Sequence, residues 1–176
     1  MKRLLIVTTA FFIVLSSLAY AHGPTRKKVV ITRDIAAPPD AVWALIGNFQ
    51  DMSWHPAVAG IEGEGGNAPG ATRTLTLGNG GKIHEKLEKY DGEKHSLFYR
   101  IEDVDVAVLP VTNYSSWVSV KEAPGGSTVT WKGAFYRGYP NNDPPPELSD
   151  QAAVDAVTGV YESGLDNVKK LAEGGS

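Results

Sequence analysis

Two side chains, Arg73 and Glu85, stand where a charge is least expected. Glu85 falls between Ile83 and Leu87 in a run of two-residue alternation, and Arg73 shares its parity with Leu75 and Leu77; both are therefore turned toward an apolar side. A lone carboxylate there is costly to bury, and a guanidinium beside it relieves the cost. Such a pair has two uses, as a structural ion pair or as a polar anchor for a ligand. His55, flanked by Trp54 and Pro56, is either a packed imidazole or a base. Tyr99, Tyr114, Trp131, Phe135 and Tyr161 line a cavity if the fold leaves one; otherwise they are the core, since a close-packed interior is the default. Tyr139, Asn141 and Asn142 belong to a proline-rich loop at 138–146, which is either a partner contact or a stiff connection.

Catalysis finds little else to work with. The chain has no cysteine, which removes disulfides, thiol nucleophiles and thiolate metal sites. It has no His-Glu-x-x-His, no Gly-rich phosphate loop and no Ser with His and Asp in a recognisable order. His84 and Glu85 are neighbours in a strand and face opposite ways. An acid and a base on one cavity could come only from Glu85 with Tyr99 or His55, so the expectation is no catalytic residues and no enzyme. His22, His55, His84 and His95 lie in separate segments, so no metal site is expected. Twenty acidic against 17 basic side chains give a net charge of −3, and without a basic run nucleic acid is not an expected partner.

The elements that must position these residues follow from periodicity and punctuation. Lys2 and Arg3, the apolar run 4–18 and Ala19-Tyr20-Ala21 read as a signal peptide over 1–21, removed on export, so no membrane attachment is expected after cleavage. Residues 22–28 are a mobile lead, 29–172 one domain and 173–176 a tail. Within the domain, 29–35 is a strand, and Pro38-Pro39 opens a short helix at 41–46 that Gly47 ends. A second short helix or irregular piece covers 48–57. Strands follow at 58–64, 71–77, 82–90, 94–104, 113–122 and 127–136, separated by turn residues such as Gly78-Asn79-Gly80-Gly81 and Pro124-Gly125-Gly126. The segment 149–172 carries Ala153, Val157, Val160, Gly164, Val168 and Leu171 at helical spacing, with Ser149 as cap and Lys169 and Lys170 in the last turn. An antiparallel sheet of about seven strands needs one face covered. The predicted fold is α+β, a sheet curled around a long C-terminal helix with two short helices after the first strand.

That order of elements meets motifs of a known family. Ile35-Ala36-Ala37-Pro38-Pro39-Asp40-Ala41-Val42-Trp43, Trp54-His55-Pro56, Arg73-Thr74-Leu75 with Glu85-Lys86-Leu87, Tyr99-Arg100-Ile101, the 110–114 approach and Thr130-Trp131 with Phe135 resemble the polyketide cyclase and START-like (SRPBCC) superfamily. The resemblance spans 29–171 and implies the helix-grip fold. With an export signal, the chain looks most like the MxaD group of periplasmic methanol-oxidation proteins. That resemblance implies a non-enzymatic accessory without a cofactor, assisting contact between methanol dehydrogenase and its cytochrome c acceptor. The alternative it leaves open is a carrier of a small apolar ligand, or cyclase-like chemistry, within the grip cavity.

Overall fold

The computed structural model describes residues 23–174. The expected signal segment 1–21, His22 and the last two residues lie outside the described residues. Strand β1 (Lys27–Ile35) leads to helix α1 (Pro39–Ile46). Six strands follow: β2 (Val58–Glu64), β3 (Thr72–Leu77), β4 (Lys82–Asp91), β5 (Ser96–Val104), β6 (Val111–Ala123) and β7 (Gly126–Arg137). A 3-10 turn at Pro146–Leu148 precedes the long helix α2 (Asp150–Ala172). All pairings are antiparallel, in the order β1-β7-β6-β5-β4-β3-β2. The predicted sheet wrapped around a terminal helix is the observed architecture, and α2 covers the inner face chiefly at β1 and β7. Among the described residues, no helix is long and apolar enough to cross a membrane.

Local chemistry explains the boundaries. Ser149 caps α2 by accepting from the Ala152 amide at 3.1 Å. Pro124-Gly125 makes the two-residue turn between β6 and β7, where Ala123 pairs with Gly126 and Gly125 takes φ +85°. β1 starts at Lys27, inside the segment expected to be a mobile lead, and Arg26 just before it donates to the Ser115 hydroxyl at 3.1 Å. In the expected tail, Glu173 accepts from the Ala36 amide at 2.8 Å.

Two expectations need correction. Residues 48–57 form turns, not a second helix: the Asn48 side chain accepts from the Gln50 amide and Asp51 from the Ser53 amide, each taking a donor that a helix would have used. On α2, Leu171 is 44% exposed and Val160 half-buried, while Tyr161 and Leu165 are fully buried. The apolar stripe is rotated toward Tyr161, whose large ring finds room over the sheet. Leu171 lies in the last turn and escapes cover.

The register of β6 shifts between Thr112 and Ser115. Asn113 adopts φ +48° there, and the extra residue lets Val111 and Tyr114, three apart, both face inward. Without the bulge Tyr114 would point to solvent. Asn113→Val forces a β-branched residue into the left-handed region and is expected to lower stability by about 1–2 kcal/mol, with Asn113→Gly near neutral, read by urea unfolding.

Candidate functional site

Arg73 and Glu85 sit directly opposite each other on β3 and β4. The Arg73 Nε donates to Glu85 Oε2 at 2.6 Å, and each side chain is 5% exposed. Arg73 Nη1 donates to the Phe49 carbonyl at 2.7 Å, and the guanidinium lies 4.3 Å from the Phe49 ring centroid and 5.3 Å from that of Tyr99. The cation is thus held between two rings, a carbonyl and a carboxylate, away from water. Burial pushes the Glu85 carboxyl above its ordinary range, and the guanidinium pulls the other way without cancelling it.

His55 is spoken for on both sides. Its Nε2 lies 2.9 Å from the Val160 carbonyl on α2, and its Nδ1 accepts from the Ala57 amide at 3.2 Å. Those partners fix the proton on Nε2 and leave no nitrogen free to take one. Desolvation lowers its pKa, so the ring is neutral near pH 7. Of the two uses open to it in the sequence, this geometry serves packing: His55 ties the 48–57 turns to α2. Gly164 makes the approach possible, since a Cβ there would lie 2.6 Å from His55 Cδ2 and 3.0 Å from Trp131 Cζ3.

Four further side chains form a closed relay. Trp131 Nε1, a donor only, gives its proton to Ser116 Oγ at 2.8 Å, and Ser116 donates to the Lys132 carbonyl at 3.1 Å. The Tyr161 hydroxyl, 3.1 Å from Ser116 Oγ, must then donate to it, and Tyr114 donates to Tyr161 at 2.5 Å. Burial raises the Tyr114 and Tyr161 phenols well above their usual value. It pushes Tyr99 up to about 12, helped by the nearby Glu85 charge. These phenols stay protonated at any physiological pH, and those of Tyr114 and Tyr161 act as donors, not bases. Gly133 clears the space for the relay, because a Cβ at that position would overlap the Tyr161 hydroxyl.

Between sheet and helix lies a cavity of about 80 Å³. Glu85, Tyr99, Tyr114, Trp131 and His55 reach its wall among apolar neighbours such as Leu75 and Ile83. The half-buried Val58, Leu77, Val108 and Val160 also line it. Ligand pockets commonly run to roughly 300–1,000 Å³, so this space suits a fragment and not a large lipid. The other aromatic candidates stand behind the wall. Tyr161 stacks on Trp131 at 4.3 Å, Phe135 on Tyr114 at 6.1 Å, and Trp54 meets Trp131 edge-on at 5.7 Å. The Trp54 N–H is buried and lacks a hydrogen-bond partner. Among the described residues no three His, Asp or Glu side chains converge as a metal would need.

Tyr139, Asn141 and Asn142 are elsewhere, on the 138–146 loop, with Tyr139 half-buried and both Asn residues exposed. The loop is pinned by Arg137, which sequence reasoning passed over. This buried guanidinium donates to the Tyr139 carbonyl at 2.9 Å and the Asn141 carbonyl at 2.6 Å, and lies 3.4 Å from Asp150. Its parity with Trp131 and Phe135 was the available signal. Ser116 and Gly133 carry the same inward parity, but their role was not legible because it depends on Tyr161 arriving from another element.

A family model described as polyketide cyclase / dehydrase and lipid transport matches residues 26–173. The chain belongs to this family. Its similarity to known proteins is broad and moderate. A solved structure of the protein XoxI from Bacillus cereus superposes with TM-score 0.68 at 29% identity, covering 84% of this chain and 94% of that one. Norcoclaurine synthase from Thalictrum flavum shares the fold at TM-score 0.62 and 18% identity, covering 97% and 98%. MLP-like protein 423 of Arabidopsis thaliana is 25% identical over 129 residues, 68% of this chain and 82% of that protein. The same fold is thus carried by a named enzyme, norcoclaurine synthase.

Proposed function

We propose that this polyketide cyclase-like chain is a non-enzymatic periplasmic accessory of methanol oxidation, of the MxaD group, that assists contact between methanol dehydrogenase and its cytochrome c acceptor. The observation that carries the reading is the 138–146 loop. Arg137 holds it through backbone carbonyls, so the exposed Asn141 and Asn142 and the half-buried Tyr139 are presented on a pre-shaped support, which lowers the ordering cost of binding. The interior supports the same reading from the other side: His55, Ser116, Tyr161 and Arg73 are committed to partners within the fold. Because the anchor is to carbonyls, replacing all three loop side chains with Ala leaves it intact. The triple variant is expected to keep its thermal unfolding temperature and to lose most of the stimulation of methanol-dependent cytochrome c reduction by purified dehydrogenase. Full stimulation would remove the loop and turn attention to Trp54-His55-Pro56.

A second reading, binding of a small apolar ligand, is favoured by the mainly apolar wall of the cavity and the half-buried residues in its lining. Thermal shift with fragments of about benzene to indole size tests it. Fragments that fail to shift the protein leave the surface reading alone.

A further inference from the structure

The outer face of the sheet, turned away from α2, carries charge and aromatic surface that the interior does not use. Strand register sets Val30, Lys132, Trp117, Phe98 and Lys89 in one row across β1, β7, β6, β5 and β4. Trp117 and Phe98 are adjacent, with centroids 5.6 Å apart, and the Lys132 ammonium lies 5.5 Å from the Trp117 ring. Val30 is 57% exposed. The adjoining row begins with Lys28, passes through the small Ala134 and Ser115, and reaches Arg100 and Lys86. The small residues leave a depression of about 320 Å³ bordered by Lys28, Lys132, Trp117 and Phe98.

Charge on this face runs against the chain as a whole. The protein is net acidic at −3, yet from β1 to β4 the residues of the two rows and the neighbouring Arg26 carry only positive charge, the carboxylate of the second row, Glu64, lying at its far end on β2. Glu88 and Glu102 pair loosely with Arg100 and Lys86 at 3.9 and 3.8 Å. Among the described residues Lys28, Lys89 and Lys132 have no carboxylate within 4.0 Å.

From this arrangement we infer that the outer sheet face docks an acidic polypeptide segment, whose carboxylates meet Lys28, Lys132 and Lys89 and whose apolar side chains lie along Trp117 and Phe98. Charge complementarity selects the partner's sign, and the aromatic strip between the cations selects apolar side chains over a bare polyanion. The Trp117 ring face is covered by Lys132, so it does not offer the open stacking platform that single-stranded nucleic acid uses. Trp117 and Phe98 are half-buried in the sheet surface and do not project as membrane anchors do. This surface is separate from the 138–146 loop and does not depend on the methanol-oxidation reading.

The test uses Trp117 as its own reporter, because Trp43, Trp54 and Trp131 are buried. A synthetic peptide of Glu and Asp interspersed with Leu and Tyr is titrated into the purified protein, and acrylamide quenching of tryptophan emission is followed, with Trp117→Phe identifying the signal. Saturable protection of Trp117 that weakens with added salt is expected. Lys132→Glu, and independently the Lys28→Glu/Lys89→Glu pair, should each weaken binding by about tenfold or more with unchanged circular dichroism. Equal binding by both charge-reversed variants, or no saturable protection, overturns the inference. Tighter binding to phosphatidylglycerol vesicles or to a single-stranded oligonucleotide than to the peptide also overturns it, by changing the class of partner.

Discussion

Glu85→Ala is expected to destabilise the protein by about 3–5 kcal/mol, the cost of leaving a buried charge without its partner. Arg73 cannot swing to water, because the Phe49 and Tyr99 rings enclose its guanidinium and the Phe49 carbonyl holds one nitrogen. The double change Arg73→Met/Glu85→Leu should recover much of the loss, since a packed apolar pair of similar volume avoids both desolvation costs. Urea unfolding of the three proteins decides it. The pH dependence carries a second signature. The folded-state pKa of Glu85 is raised above 4.5, so the native state keeps this proton after the unfolded chain has released it. The stability it contributes is present below 4.5 and is lost as pH rises through the raised value; the double variant should lack that decline. A Glu85→Ala protein of unchanged stability but altered activity in cells would make the carboxylate a ligand anchor instead.

Trp131→Ala should cost a further large amount, about 3–5 kcal/mol for an aromatic removed from a core. Trp131 is 2% exposed, stacks on Tyr161, meets Trp54 and His55 edge-on, and supplies the proton that Ser116 accepts. It also forms part of the cavity wall, so its loss enlarges an existing apolar space. Indole should therefore raise the unfolding temperature of the variant by more than it raises that of the intact protein, because a ligand stabilises the state that binds it in proportion to how well it binds. A variant that unfolds at the original temperature would mean that Trp131 packs far less tightly than its neighbours indicate.

Much of this was readable from residue order, for a physical reason. In a half-covered sheet the side-chain period of two leaves a strong trace, and Leu75, Ile83, Leu87, Tyr99, Val118, Val129 and Phe135 face inward as the alternation requires. The same alternation brought Arg73 and Glu85 to one face, and turn residues set a spacing that allowed them to be neighbours. What sequence could not convey were contacts made across elements. The relay from Tyr114 through Tyr161 to Ser116 joins β6 to α2, and Gly133 matters only because a ring from α2 arrives above it. On α2 the expected stripe ran on to Leu171, which the last turn leaves exposed, whereas Tyr161, expected among the inward aromatics, is fully buried. A tyrosine whose hydroxyl is satisfied inside buries as well as any apolar residue. The turns at 48–57 escaped for a related reason: their aromatic density suggested order, but Asn48 and Asp51 set its form.

The strand order also has a temporal meaning. Among the described residues β1 pairs with β7 alone, whose residues lie roughly a hundred positions later, and β2 occupies the opposite border of the sheet. A chain released from its N-terminus onward can form the hairpins from β2 to β6 as they appear, yet β1 must wait without a partner until almost everything has emerged. The helix that covers the inner face comes last of all. Closure is therefore a single late event gated by the most distant pairing, the circumstance in which loop entropy slows folding most. Until then a strand edge and an uncovered apolar face stay available to other molecules, so a chain of this topology benefits from being held open by a chaperone until its final helix is free.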